Sequence, residues 1–272
     1  MRGARPERAL DAVIRSAVRF ERGVRVCVAC SGGPDSVALA ALLDRLGRED
    51  GYDVVLAHVN HGVRASAGQD ECVVLSVAAR LGRRAVVARP RVAGDDEAGL
   101  RAARYAALAE LADAAGAKSV ATAHTAEDQT ETVLLALFRG TGVDGLAGMP
   151  PRRPLTERVE LLRPVLRVTH AELATELRRS ALPYALDPTN EQTRYRRNAL
   201  RAPLAALREE FPRLDRAVAR CAAIVRGELE RSGRGQARRA LRDELRKRNL
   251  LRDVPFERIE AMLDAGERGT GR

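Results

Sequence analysis

Tryptophan is absent from this 272-residue sequence, and aromatic residues make up only 3% of it. A core of stacked rings is therefore excluded, and Ala, Leu and Val must fill the interior. Cys27, Cys30, Cys72 and Cys221 are too few and too scattered for a disulfide framework, which points to a cytoplasmic protein with reduced thiols. Lysine stands only at positions 118 and 247, so nearly all of the 47 basic residues are arginines. No apolar run approaches the ~20 residues that span a bilayer. The opening stretch MRGARPERALDAVIRSAVRF intersperses arginine with acidic residues and lacks the apolar core of a secretory signal. A membrane partner is not expected.

Positive charge is what the chain has in excess: 47 basic against 37 acidic residues, a net +10. That excess favours a polyanionic partner such as nucleic acid. Abundant Ala and Arg with almost no Lys also follows from a GC-rich coding sequence, so the arginine count alone decides little. The length suffices for one large or two modest domains with a substantial core.

Apolar strand-like runs alternate with helical ones through the first two-thirds. Strands are expected at 24–30, 53–60, 84–88, 119–124 and 158–166. Helices are expected over 34–46, 66–81 with Ser66 as N-cap, 95–115, 127–138 and 169–180. This alternation predicts an α/β fold: a doubly wound parallel sheet of five strands wrapped on both faces. Such sheets bind ligands beyond the C-terminal ends of their strands. From Leu214 onward the pattern is helical and dense in charge, with a break at RSGRG (231–235). The expected division is a nucleotide-binding catalytic domain over 1–209 and a smaller helical domain over 210–272.

One strand-to-helix turn carries unusual chemistry: Ser31-Gly32-Gly33-Pro34-Asp35-Ser36. The first amides of a helix lack internal partners, and the helix dipole favours an anion there. Two glycines allow close backbone approach, and Pro34 suits the first helical position. Ser31 and Ser36 can donate to phosphate oxygens. Asp35 is informative, because a carboxylate beside phosphate is repulsive unless a cation lies between them, which suggests Mg²⁺. The bland alternative is an ordinary tight turn with a Ser/Asp helix start. Walker A spacing is missing, since neither lysine follows such glycines. Gly140-Thr141-Gly142-Val143-Asp144-Gly145 spells G-x-G-x-x-G but follows a helix rather than a strand, so it is read as a flexible, lid-like loop.

Other residues stand out. His124, Asp128 and Glu131 are spaced i, i+4, i+7 and would share one face of a helix that began early enough; the alternative is a solvated acidic helix start. His58 and His61 form a His-x-x-His, but residues three apart on a strand face opposite sides, and no third zinc ligand is obvious. The same argument makes Cys27 and Cys30 core packing rather than a redox pair. Arg101, Arg104 and Tyr105 share a helix, as a solvated face or as substrate-facing arginines. RYRRNALR (194–201) clusters four arginines around Tyr195 and Asn198, either a charged surface or a phosphate-contacting patch.

SGGPDS after a buried strand resembles the signature of the PP-loop ATP pyrophosphatase family. HVNHGVR (58–64), RAARYAAL (101–108), AHTAEDQTET (123–132), FRGTGVDGLAGM (138–149), LLRPVL (161–166) and LDPTNEQTRYRRNALR (186–201) follow in an order similar to that of tRNA(Ile)-lysidine synthases. The chain departs from that pattern in Glu127-Asp128, where Asp-Asp is frequent, and in leaving little room for a further C-terminal tRNA-binding domain. The resemblance implies ATP-dependent ligation of L-lysine to C2 of the wobble cytidine of a CAU-anticodon tRNA(Ile). It passes through an adenylated cytidine and releases pyrophosphate and AMP. ATP would be held by Ser31, Gly32, Gly33, Pro34, Asp35 and Ser36, with His58 and Asn60 at its adenine and ribose and Asp35 on Mg²⁺. The catalytic set would be Asp35, His61, Arg104, Asp128, Glu131 and Arg139. Arg194, Tyr195, Arg197 and Arg201 would bind tRNA, helped by the helical domain. A homodimer is left open, as are two other functions: another PP-loop tRNA enzyme such as a 2-thiolase, or a nucleotide- or RNA-binding protein without chemistry.

Overall fold

The structure is a computed structural model that describes residues 6–60, 67–90, 97–186, 196–248, 254 and 256–269. In chain order these residues form α1 (Pro6–Ala17), β1 (Arg25–Ala29), α2 (Pro34–Asp50), β2 (Asp53–Val59), α3 (Ala67–Leu81), β3 (Arg84–Ala88), α4 (Glu97–Ala114), β4 (Ser119–Ala121), α5 (Ala126–Leu137), α6 (Val143–Leu146), β5 (Arg152–Pro154), β6 (Glu160–Leu162), α7 (His170–Ser180), α8 (Arg196–Glu210), α9 (Leu214–Arg231), α10 (Gly233–Lys247) and α11 (Phe256–Gly269). The chain divides into two compact units. One comprises Met1–Asp128 with Pro151–Ala199, the other Gln129–Pro150 with Leu200–Arg272.

The first unit is an α/β sandwich around one sheet of order β3-β2-β1-β4-β6-β5. The pairs β3–β2, β2–β1, β1–β4 and β4–β6 are parallel, and β5 pairs antiparallel to β6. The five parallel strands match the expected sheet, while the sixth was not foreseen. Its sequence Arg152-Arg153-Pro154 has no apolar alternation to betray it. A tight turn, with Leu155 and Thr156 amides on the Val159 carbonyl, folds it back onto the edge, where proline is tolerated.

Alternation along the strands sorts the core into two faces. Val26, Val28, Leu56, Ala121 and Leu162 pack with Ile14 of α1, Leu39 and Leu42 of α2, Val77 of α3 and Leu173 of α7. Cys27, Val55, Ala57, Val120 and Leu161 pack with Leu108 and Ala112 of α4. Leu39 and Leu42 are both 0% exposed, and burying such a side chain contributes about 2 kcal/mol. Cys27 and Cys30 fall into opposite clusters, as expected of neighbours three apart on a strand. Arg45 of α2 makes a two-pronged contact with Asp11 of α1, at 2.7 Å for each prong, and tacks the two helices together.

Helix α7 begins with a capping box: the Glu172 amide donates to the Thr169 hydroxyl, and the Thr169 amide donates to the Glu172 carboxylate at 2.9 Å. Thr169→Ala should lower the unfolding free energy by about 1 kcal/mol in urea titration. A change below a few tenths would contradict that role.

In the second unit, helices α9, α10 and α11 carry the charge-dense sequence. The loop expected over 140–145 is in part a one-turn helix, α6, with Gly142 as its N-cap. It is pinned rather than lid-like. Asp144, nearly buried, sits 3.8 Å from Arg238 and 3.6 Å from Arg242. Gln129, 1% exposed, donates to the Met149 carbonyl and accepts from the Met149 amide. Arg226 reaches that same carbonyl at 2.7 Å. Among the described residues, no helix is long and apolar enough to cross a membrane.

Candidate nucleotide-binding site

The turn between β1 and α2 lies at the C-terminal edge of the sheet, next to the ends of β2 and β4. Gly33 is the N-cap of α2 and Pro34 its first residue. Gly32 has φ +92°, and a Cβ there would lie 3.1 Å from the Asp70 carbonyl oxygen at the start of α3. Only glycine meets both demands. At Gly33 a Cβ would meet nothing closer than the Ser31 hydroxyl at 3.5 Å, which leaves that side of the turn accessible to a ligand.

The serines differ. Ser36 is buried; its hydroxyl donates to the Gly33 carbonyl at 2.9 Å and accepts the Ser31 amide at 3.1 Å, so it braces the turn from inside. Ser31 is exposed, and its oxygen receives the Gly33 amide.

Asp35, in the first turn of α2, is 31% exposed at its side chain and lies 3.0 Å from Nδ1 of His170, the first residue of α7. Nε2 of His170 is 3.5 Å from the Thr125 hydroxyl, which donates in turn to Asp128. The His170 amide donates to Glu127, and the Ala126 amide to the Val168 carbonyl. The N-termini of α2, α5 and α7 therefore meet at this edge, and their dipoles add positive potential to it. Asp35, His170, Thr125 and Asp128 form one chain of contacts across them.

Burial disfavours the His170 cation, but the hydrogen bond to Asp35 and the charges of Asp35, Glu127 and Asp128 outweigh it and raise its pKa to about 9. Against ~6.5 in an unfolded chain, the pair stabilises the fold fully below ~6.5 and fades as pH rises through about 9. NMR titration of this imidazole should give a midpoint near 9, falling towards ~6.5 in Asp35→Asn. A midpoint unmoved by that substitution contradicts the pairing.

His58 is 3% exposed. Its Nδ1 lies 2.8 Å from the Cys30 carbonyl, so that nitrogen carries the proton and clamps the residue just before the turn. Nε2 is buried and has no partner among the described residues. Asn60 donates to Glu71 at 3.0 Å, and that bond, with Arg89 adding to it, holds the Glu71 carboxyl below the usual range. Burial pushes the Cys27 thiol up to about 11 and also raises that of Cys30, which keeps both protonated.

Helix α5 begins at Ala126, so His124 precedes it and cannot share its face; His124 instead lies 2.9 Å from the Thr122 hydroxyl. Asp128 accepts the Thr125 amide at 2.8 Å. In the second unit, Glu131, 5% exposed, is 3.3 Å from Arg201, so two residues singled out for different roles meet as an ion pair. Arg104 and Arg139 are exposed. Arg197 lies in α8 with its side chain outside the described part. His61, Arg194 and Tyr195 lie outside the described residues altogether.

His170 is the residue that the motif reading passed over. It is one of four histidines, stands eight residues beyond β6, and its partner Asp35 is far away in the sequence, so no local pattern marks it.

A strand, a glycine turn in the left-handed region and a helix start bearing one carboxylate define a class of protein, the PP-loop nucleotide-binding fold. The family model described as a PP-loop domain matches residues 5–207, and the chain belongs to that family. It is 43% identical over 206 residues to the tRNA(Ile)-lysidine synthase of Ralstonia nicotianae, covering 73% of this chain and 44% of that protein. It is 36% identical over 219 residues to the enzyme of the same name from Nostoc sp., covering 80% and 64%. With that of Salinispora tropica the identity is 42% over 210 residues, covering 74% and 62%. The chain thus spans about half the length of the curated relatives it matches. Among solved structures, the U34-tRNA thiolase NcsA of Methanococcus maripaludis superposes with a TM-score of 0.67 at 15% identity, over 80% of this chain and 77% of that one, a likeness of fold alone.

Proposed function

We propose that the chain is the catalytic portion of a tRNA(Ile)-lysidine synthase. The observation that carries the reading is the braced SGGPDS turn with Asp35 at its helix start, in a chain 36% to 43% identical to proteins of that name. The cytosine C2 oxygen of the wobble cytidine attacks the α-phosphate of ATP, and pyrophosphate leaves. The amine of L-lysine then attacks C2, the C–O bond breaks, and AMP departs with that oxygen.

In this reading, the turn Ser31–Ser36 receives the phosphates through the first-turn amides of α2, those of Asp35 and Ser36, and through the Ser31 hydroxyl, and the dipoles of α2, α5 and α7 favour the charge that builds on them. Among the described residues no three His, Cys, Asp or Glu side chains gather as a metal cage. One carboxylate beside a triphosphate is nevertheless the donor set that suits Mg²⁺, and Asp35 would hold it. The metal would supply charge neutralisation on the phosphates. Asn60 and the clamped His58 shape the edge that takes adenine and ribose. Asp128, Glu131 or His61 accepts the proton that lysine's ammonium must lose, and Arg104 and Arg139 offset phosphoryl charge. Arg194, Tyr195, Arg197 and Arg201, with the helices after 210, engage the tRNA. The working division is a catalytic domain over 1–209 and a helical domain over 210–272, in a cytoplasmic protein.

The test is incorporation of radiolabelled lysine into an unmodified CAU-anticodon tRNA(Ile) transcript with ATP and Mg²⁺. Elongator tRNA(Met), which shares the anticodon, is the control. Labelling of the isoleucine transcript alone supports the proposal; labelling of neither opposes it.

A further inference from the structure

Several arginines in the α/β unit are neutralised by carboxylates. Arg25 pairs with Asp53 at 3.0 Å, Arg45 with Asp11 at 2.7 Å and Arg152 with Glu160 at 3.5 Å. Arg101 of α4 and Arg153 of β5 are held differently, by an aromatic ring. Both lie against one ring: the guanidinium carbon of Arg101 is 5.2 Å from the Tyr105 centroid, and that of Arg153 is 4.8 Å from it. Neither has a carboxylate partner among the described residues. Arg153 makes only a further bond to the Pro154 carbonyl.

A third arginine, Arg163, lies beneath them at 2% exposure. It follows the last residue of β6, at the sheet edge where the nucleotide turn also lies. Burial lowers its pKa, as do the charges of Arg153 and Arg101, while Tyr105 opposes the shift. Arginine cannot shed its proton here, so the cluster holds concentrated positive charge. The Tyr105 ring anchors both guanidinium groups, and their N–H groups suit an acceptor that offers two oxygens. A phosphodiester is such an acceptor.

The sheet order separates this cluster from the nucleotide turn. Three strand spacings lie between β1 and β5, about 14 Å at ~4.8 Å each. The cluster also sits on the α4 face, whereas α2 packs on the opposite one. A triphosphate held at the turn does not extend there, but a chain of nucleotides entering the sheet edge does.

We infer that Arg101, Arg153 and Tyr105 form a phosphate-binding station for the RNA backbone, separate from the triphosphate cradle. The inference rests on the proposed action on RNA and adds to it a contact point for nucleotides flanking the reacting base.

The experiment measures binding of the CAU-anticodon tRNA(Ile) transcript across 50–300 mM KCl (roughly the range where phosphate contacts dominate). It compares wild type, Arg101→Gln, Arg153→Gln, the double variant and the corresponding Lys variants. Each Gln variant should weaken binding about 5- to 10-fold at low salt and flatten the log–log slope by about one unit. Lys variants, which keep the charge, should retain the wild-type slope, so a Gln variant that merely misfolds is distinguishable by its melting curve and by its Lys counterpart. ATP affinity should stay within about twofold throughout. Unchanged RNA binding in the double variant overturns the station, as does loss of ATP affinity in place of RNA affinity. If wild type labels tRNA(Ile) with lysine while the slope is unmoved, the station fails and the enzyme reading stands. A slope that falls without any lysine labelling supports the station and removes the enzyme reading.

Discussion

Asp35→Asn should reduce RNA-dependent formation of AMP by about 100-fold or more, while melting within a few degrees of wild type. The side chain is isosteric and about a third exposed, at 31%, so no cavity or unpaired buried charge results. What changes is charge. An amide cannot offset a divalent cation against phosphate, and it pairs more weakly with His170. A protein that only binds nucleotide or RNA has no need of this carboxylate and would keep its affinities after the substitution. Near-normal AMP formation in Asp35→Asn would therefore remove the catalytic reading of the turn.

Gly32→Val carries the second large effect, through shape rather than charge. A β-branched residue at φ +92° is far outside its allowed region, and its Cβ would press on the Asp70 carbonyl at 3.1 Å. Strain of this kind costs about 2 kcal/mol, so the variant should show a lower urea midpoint and no saturable ATP binding. Gly33→Ala is the contrast. Gly33 has φ −74°, and its added methyl meets only Ser31 Oγ at 3.5 Å, so stability should stay within ~0.5 kcal/mol of wild type. If both variants were equally stable, the left-handed turn would not be the constraint that the structure describes.

Much of this architecture is written in local patterns. Val26 and Val28 point one way and Cys27 the other, and the same alternation in β2, β4 and β6 declares a sheet buried on both faces. The turn before α2 is legible because Gly, Pro and Asp each have one physical use at a helix start. Four features escaped for physical reasons. The edge strand Arg152–Pro154 has only one neighbour and little need of apolar residues, so periodicity cannot reveal it. Helix α6 is one turn long and depends on Asp144, Arg226 and Gln129, whose partners lie far along the chain. The contact of His170 with Asp35 spans 135 residues, a distance across which a sequence pattern carries no signal. The same limit hid the pairing of Glu131 with Arg201, each of which looked like a residue in search of a ligand.

The measurement that bears most directly on the central claim is the identity of the phosphate bond cleaved. Wild-type protein would be incubated with ATP labelled at the α-phosphate, Mg²⁺ and L-lysine, with and without the CAU-anticodon tRNA(Ile) transcript, and the products separated. A cradle that presents the α-phosphate to an RNA oxygen yields AMP and pyrophosphate only when the tRNA is present, one of each per tRNA modified. Formation of ADP and inorganic phosphate, or AMP formation indifferent to RNA, would contradict it.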